Sequence, residues 1–286
     1  MRYEVPQTAR EAVGLLEAEK GLSRILAGGT DVLVQLRSGV VEPDLIVDIK
    51  HIAGMREITA EGGGYRIGAA VSGAELGEHS GVVALWPGVV EALELIGSTQ
   101  VQGRATMAGN LCNGSPAGDS VPAMIAAEAI ASIAGPSGDR TCPVEDIPVG
   151  PGRISLGKGE FITSIFLPAR PERSSDAYLR FIPRTEMDIA VASAGVSLTL
   201  DAAGTCTTAR VALGAVAPTV VLVPDAAAAL VGSKLDDSAL AALGAACSAA
   251  CNPIDDKRGT IEFRQDVAAV LAKRAAKIAY DRAGGV

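Results

Sequence analysis

The segment Thr106–Asp119, TMAGNLCNGSPAGD, places Thr, Asn, Ser and Asp side chains among glycines, directly ahead of an apolar helical run. A loop rarely needs so many hydrogen-bonding groups for itself. A ligand carrying ribose hydroxyls and pyrophosphate oxygens does, because it demands donors, acceptors and close backbone approach; a dinucleotide is such a ligand. Asp119 suits a ribose, since a carboxylate accepts two hydroxyl hydrogen bonds. It equally suits the N-cap of the helix beginning at Ser120 or Val121, and the two roles are compatible.

A second stretch, Ala27–Asp31 (AGGTD), lies between an apolar strand and an apolar-periodic helix. Gly28 and Gly29 leave the backbone bare at the helix mouth, where successive amides and the positive end of the helix dipole can receive an anion. Taken alone, this loop reads as an ordinary strand–helix turn capped by Thr30. Beside the 106–119 segment it becomes a candidate wall of the same dinucleotide site.

Other chemistries lack their residues. The chain has two histidines, His51 and His79, and no HExxH, GxSxG, Walker A or strand-following GxGxxG pattern. Both histidines read as surface residues, so a Ser-His-Asp hydrolase is excluded. Cys247 and Cys251 share a helical face, but two cysteines complete neither a zinc nor an iron–sulfur site. Cys112 has no cationic neighbour in sequence to activate it, so it reads as a small side chain near a ligand.

The elements that position these segments follow from composition and periodicity. The 286 residues are 48% hydrophobic but only 3% aromatic, so the core is built from Ala, Val, Leu and Ile. A formal charge of −8, with 25 scattered cationic residues, argues against a nucleic-acid surface. The N-terminus has no apolar secretory core, no apolar run reads as a membrane span, and five cysteines without a CxxC pair fit a reducing compartment; the expected location is the cytoplasm.

Thr8–Glu11 (TARE) has the form of a capping box opening a helix that stops before Gly21. The strand Ser23–Ala27, a helix carrying Val32, Leu33 and Leu36, and the strand Leu45–Ile49 give a β–α–β order. From Glu57 a hairpin turned by three glycines leads to helical runs at Gly73–His79 and Val82–Ile96, then to the polar segment, expected as loop. A helix over Val121–Ala129, a second hairpin and the strand EFITSIFLP close this region. ARPERSSD after Pro168 is the expected linker. Beyond it lie the strands AYLRFIP, GVSLTL and ARVALGAV, and a terminal helix expected to bury Val267, Val270, Leu271, Ala275 and Ile278.

In this order, AGGTD, TMAGNLCNGSPAGDS, GPGRISLGKGEFITSIFLP, RTEMDIAVASAGVSL and DDKRGTIEFRQ resemble the FAD-binding medium subunits of molybdenum hydroxylases, the xanthine dehydrogenase and aerobic carbon monoxide dehydrogenase family. The resemblance spans nearly the whole chain, and GNLCNGSPAGD is its most specific part. It implies an α+β protein: a PCMH-type FAD-binding domain over residues 1–170, made of two α/β subdomains (about 1–56 and 57–170), and a smaller α+β domain over 176–286.

The resemblance further implies that Ala27, Gly28, Gly29, Thr30 and Asp31 wrap the FAD pyrophosphate, joined by the backbone around Thr106, Gly109 and Asn110. Cys112 and Asn113 fall at flavin-contacting positions, Asp119 at the ribose and Ile96 near the cofactor. Ile162 matches a backbone contact to the adenine or ring system. Arg180 falls where a basic residue lies close to the flavin, and Arg184 with Asp188 reads as an interface or a salt-bridged pair. Family members often carry two glycines where this chain has Ala108-Gly109, and EDIPVGPGRISL lacks the paired aromatics common there. No cysteine-bearing insertion is present, so [2Fe-2S] clusters and the molybdopterin cofactor are expected only in partner chains.

The implied role is electron transfer from a small iron–sulfur subunit, itself fed by a large molybdopterin subunit, through FAD to an external acceptor, in a dimer of heterotrimers. Two other classes stay open on the residues alone. One is a stand-alone FAD oxidase of the vanillyl-alcohol-oxidase type, for which about 115 residues after the linker and few aromatics make a poor substrate pocket. The other is a flavin-free assembly protein, which would have no need of Asp119 or the glycine turn.

Overall fold

Parallel pairing in the first sheet follows from its β–α–β order. The structure, a computed structural model, describes residues 1–285. β1 (Arg2–Glu4), β2 (Ser23–Leu26) and β3 (Leu45–Asp48) pair in the order β1-β3-β2, all parallel. All four residues of β3 are buried, as a central parallel strand requires. Helix α1 (Ala9–Ala18) buries Ala12, Val13 and Leu16. Thr8 Oγ caps it by accepting from the Glu11 amide, while the Glu11 carboxylate reaches Gln7 N–H at 2.8 Å. Helix α2 (Val32–Arg37) buries none of its residues, with Val34 63% exposed. It lies along a cleft instead of covering the sheet.

The second sheet is antiparallel. β4 (Ile58–Glu61) and β5 (Gly64–Gly68) form a hairpin on Gly62 and Gly63. Both turn residues have φ > 0, as a two-residue turn of this hand requires. Next come α3 (Gly73–Gly77), α4 (Ser80–Leu85), α5 (Pro87–Glu94), α6 (Thr99–Gln102), α7 (Met107–Cys112) and α8 (Ser120–Ala126). The expected single helix over 82–96 is two, because Trp86 leaves helical geometry (φ −132, ψ 64) and Pro87 starts a new helix at N1. The 106–119 segment, expected as loop, contains α7. The hairpin β6 (Ile130–Ala134) and β7 (Arg140–Pro143), the small pair β8 (Pro148–Gly150) and β9 (Arg153–Ile154), and β10 (Phe161–Leu167) follow; the main sheet runs β4-β5-β10-β6-β7.

The third sheet, β11 (Ser174–Phe181), β12 (Ala192–Leu200), β13 (Cys206–Gly214) and β14 (Val221–Leu222), is antiparallel in that order. It is covered by α9 (Pro224–Leu230) and α11 (Ile261–Arg282), and α10 (Asp237–Ala250) packs against both helices. The expected linker is shorter than ARPERSSD: Ser174 already pairs in β11, and Ser175 and Asp176 are buried. The face that α11 buries is a stripe of Ala268, Ala272, Ala275, Ala276 and Ala279 with Leu271, while Val270 is 43% exposed. Leu271 and Ala275 are buried as expected and Val267 and Ile278 pack at the margin, while small alanines complete the face and let the helix lie close to the sheet. Cys247 and Cys251 pack within this second core.

The two cores meet. Tyr178 and Ala212 of the third sheet belong to the first core, and the Gly195 backbone lies so close to Pro122 that a Cβ there would sit 2.7 Å from its carbonyl. Arg170 stacks on Trp86, 4.8 Å from the ring centroid, and pairs with the buried Asp176 at 3.0 Å. Among the described residues no helix is long and apolar enough to cross a membrane.

Candidate functional site

A cleft of about 610 Å³ opens between the first two sheets, within the usual range for small-molecule sites. Its walls are the β2–α2 loop, the cleft side of α7, the 152–160 connection and β10. Of the residues singled out from sequence, Ala27, Gly28, Gly29, Thr30, Asp31, Thr106, Gly109, Cys112, Asn113 and Ile162 all line it.

The β2–α2 loop explains itself from local geometry first. A Cβ on Gly28 would lie 1.8 Å from the Arg104 carbonyl, whose own side-chain Nε donates to the Gly28 carbonyl at 2.9 Å. Gly29 adopts φ +79, the left-handed region that glycine enters without strain. Each glycine therefore has a reason internal to the protein. What the loop leaves over is a row of donors: among the described residues, the backbone N–H groups of Gly28, Gly29, Thr30 and Asp31 find no protein acceptor. Asp31, at the N-cap of α2, makes no side-chain cap bond, and desolvation pushes its carboxyl up from the ordinary value.

The facing wall is set by α7. Thr106 Oγ caps this helix by accepting from Gly109 N–H at 2.9 Å, so its hydroxyl acceptor is engaged while its proton remains free to donate. Ala108, standing where family members often have glycine, is buried and lines the cleft. Asn113, at the end of α7, donates to Asp31 at 3.1 Å and so joins the two walls. Cys112 faces the cleft, where burial pushes its thiol up to about 12. It is a packing group there, as its sequence context suggests.

Ile96, Asn110, Asp119 and Arg180 do not line the cleft. Ile96 follows α5 and packs against the first core. Asn110 points away from the cleft, its Oδ1 accepting from the Ser120 amide (3.1 Å) and hydroxyl (2.8 Å). It thereby caps α8, the role expected of Asp119, whose side chain makes no cap bond. Asp119 is buried, accepting from the Tyr178 hydroxyl at 2.8 Å and from Arg180 Nη1 at 2.7 Å. Burial outweighs both partners and raises its carboxyl to about 6. Arg184 and Asp188 form the expected ion pair at 3.1 Å.

Residues missed from sequence lie mostly in the 152–160 connection: Ile154, Leu156, Lys158 and Glu160 line the cleft. The stretch GPGRISLGKGE offered a signal, glycines flanking a lysine before a strand, but Ile162 alone was singled out from it. Glu160 is held well in place, pairing with Arg140 at 2.7 Å and accepting from Gly157 N–H, which together lower its carboxyl to about 2. Arg24 on β2 adds a cation to the same cleft. A smaller hollow of about 230 Å³ adjoins across Gly28; its cations Lys50, Arg56 and Arg104 are already engaged with Asp48, Glu75 and the Gly28 carbonyl.

Comparison with known proteins follows the same division of the chain. The family model of the FAD binding domain in molybdopterin dehydrogenase matches residues 1–170, and that of the CO dehydrogenase flavoprotein C-terminal domain matches residues 177–279. The xanthine dehydrogenase FAD-binding subunit of Escherichia coli O157:H7 is 32% identical over 285 residues, covering 99% of this chain and 97% of its own. The carbon monoxide dehydrogenase medium chain of Hydrogenophaga pseudoflava is 31% identical over 281 residues, 98% of this chain and 97% of that one. Among solved structures, the Hydrogenophaga pseudoflava carbon monoxide dehydrogenase lacking the Mo-pyranopterin moiety superposes with a TM-score of 0.94, at 32% identity over 99% of this chain and 98% of that one. Quinoline 2-oxidoreductase from Pseudomonas putida 86 superposes at 0.90 and 25% identity, over 99% and 98% of the two chains.

Proposed function

The chain belongs to the FAD-binding subunits of molybdopterin dehydrogenases, and from that premise we propose that it relays electrons from iron–sulfur clusters of a partner subunit, through FAD, to an external acceptor. It is an oxidoreductase subunit whose own cofactor is FAD. The partners in this reading are a small iron–sulfur subunit and a large molybdopterin subunit, assembled as a dimer of heterotrimers.

One observation carries the FAD reading: the row of four backbone donors, Gly28 to Asp31, without protein acceptors in a cleft of dinucleotide scale. Such a row fits a pyrophosphate, which needs several acceptors satisfied at once, and Arg24 and Lys158 supply positive charge at the same walls. Thr106 and Asn113 offer further donors across the cleft. Ile25, Ile49 and Ile162 add apolar lining to the cleft, which suits an aromatic ring system.

FAD supplies the redox chemistry when bound, accepting electrons and releasing them. The chain's residues bind and orient. Backbone amides of the β2–α2 loop would hold phosphate oxygens, and Asn113, bonded to Asp31, ties the two walls together. None of these groups has to move a proton as a general acid or base, which is consistent with a site built without histidine.

The direct test is reconstitution. The full chain, incubated with FAD and desalted, should retain one flavin per chain by its visible absorbance; retention of none would sink the reading. Reduction of that flavin by a reduced iron–sulfur partner, coexpressed with the chain, tests the relay.

A further inference from the structure

The α7–α8 connection, residues 113–119, is where the C-terminal domain reaches the cleft. Its first residue, Asn113, lines the cleft and holds Asp31. Three tethers run outward from there. The Gly114 carbonyl accepts from Gly152 N–H at 2.9 Å, on the facing cleft wall. The Pro116 carbonyl accepts from Ala215 N–H at 2.7 Å, just beyond β13. Asp119 ends the connection and is held by Tyr178 and Arg180, both on β11.

Tyr178 stands out among these. It is 1% exposed, lines no part of the cleft, and belongs to the first core by its ring. A buried hydroxyl persists only where it is hydrogen-bonded, and the Asp119 carboxylate 2.8 Å away is the acceptor that makes this one tolerable. Phenylalanine would fill the same space, so the hydroxyl serves the loop and not the packing. We propose that Tyr178 is a positioning residue for the cofactor cleft: by anchoring Asp119 it fixes the 113–119 connection, and docking of the C-terminal domain thereby sets the spacing of the cleft walls. The proposal rests on the FAD reading given above.

The charged and titratable groups around this cluster are Tyr178 and Arg180 from β11 and Glu91 from α5, whose carboxylate accepts from the Tyr178 amide at 3.3 Å. Ser193 from β12 meets the Tyr178 hydroxyl, and Asn110 and Ser120 are the neutral groups of α7 and α8. With Asp119 at about 6, its protonation weakens the hold of Arg180, and FAD affinity falls as pH drops through that value. The Tyr178 hydroxyl favours the charged carboxylate, so its removal moves this midpoint upward.

The test uses the full chain, with FAD itself as the probe, and the variants Tyr178→Phe, Asp119→Ala and the pair together. Tyr178→Phe is expected to raise the FAD dissociation constant roughly tenfold and to shift the pH midpoint of affinity upward. The double variant should be no weaker than Asp119→Ala alone, since alanine leaves the Tyr178 hydroxyl no acceptor at this position and both changes act through one contact. In the apo-protein, hydrogen exchange should quicken at amides 113–119 and stay unchanged in β12 and β13. Wild-type affinity and exchange in Tyr178→Phe, or losses that multiply in the double variant, would overturn the proposal. A wild-type chain that retains no FAD instead overturns the reading beneath it.

Discussion

Asn113 Nδ2 donates to Asp31 Oδ1 at 3.1 Å, joining the end of α7 to the start of α2 across the cleft mouth. The two residues are 82 positions apart; Gln35 also reaches Asn113, at 3.5 Å, and Arg104 Nε ties the same loop through the Gly28 carbonyl at 2.9 Å. Asn113→Ala should therefore weaken FAD binding by about 1 kcal/mol, roughly fivefold, with little change in the unfolding midpoint of the apo-protein. Asn113→Asp should do more at pH 7, because it sets two carboxylates against each other, and should recover affinity as pH falls and one of them takes a proton. Equal affinities of Asn113→Asp at pH 5 and pH 7 would show that the contact does not couple the walls.

Glycine substitutions in the β2–α2 loop are expected to cost folding as well as cofactor. Gly29→Val places a side chain at φ +79, with Leu26 and Leu33 about 3 Å from its Cβ. The left-handed conformation alone costs an L-residue about 1–2 kcal/mol. Gly29→Ala should thus lower the denaturant stability of the apo-protein by about that amount before FAD is added. Gly28→Ala should cost more, since its Cβ would meet a backbone carbonyl that cannot rotate away. Apo stabilities equal to wild type for both variants would mean the loop has another conformation. Loss of flavin in a Gly29 variant is consequently no clean sign of a phosphate contact, although AGGTD read as sequence alone invites that experiment.

Much of the fold could be read before the structure. The alternation in GVSLTL and the apolar run LIVDI identify β12 and β3, and the three glycines identify the β4–β5 turn. Helices α6 and α7, of four and six residues, leave no mark in the sequence because they are too short to show a 3.6-residue period. The alanine face of α11 has no signature in hydrophobic size, since its smallest side chains are among its most buried. At the site, AGGTD and TMAGNLCN reach one cleft as their composition suggests. Asn110 and Asp119 could not be assigned in advance: either side chain could cap α8, and only the arrival of Tyr178 and Arg180, some 60 residues later, commits Asp119 elsewhere. Pairings across that separation leave no local pattern in a sequence.

Asp176 makes a pH prediction whose sign is opposite to that of a typical carboxylate. It is 2% exposed, accepts from Gly88 N–H and pairs with Arg170, yet burial is the larger effect and raises it to about 6. In the unfolded chain it titrates near the ordinary 3.8. Between those values the folded protein holds a proton that the unfolded chain has released, so this group's contribution to stability is present below pH 3.8 and is lost as pH rises through 6. Asp176→Asn removes that contribution. Its unfolding free energy, followed by urea titration between pH 4 and 6, should have a slope against pH more positive than wild type by about 1 kcal/mol per unit. Parallel slopes would mean that Asp176 is ionised throughout.

Thiol chemistry gives a last, inexpensive check on the cleft. Cys142, Cys206, Cys247 and Cys251 are buried, while Cys112 is partly open at the cleft. Access alone would make Cys112 the reactive one. Reaction requires the thiolate, however, and with its thiol raised to about 12 only about one part in ten thousand is ionised at pH 8. Ellman titration of the native apo-chain at pH 8 should therefore find no fast-reacting thiol, against five after denaturation. Rapid modification of one cysteine in the native chain, blocked by FAD, would place Cys112 at the cofactor but in a more polar environment than this cleft provides.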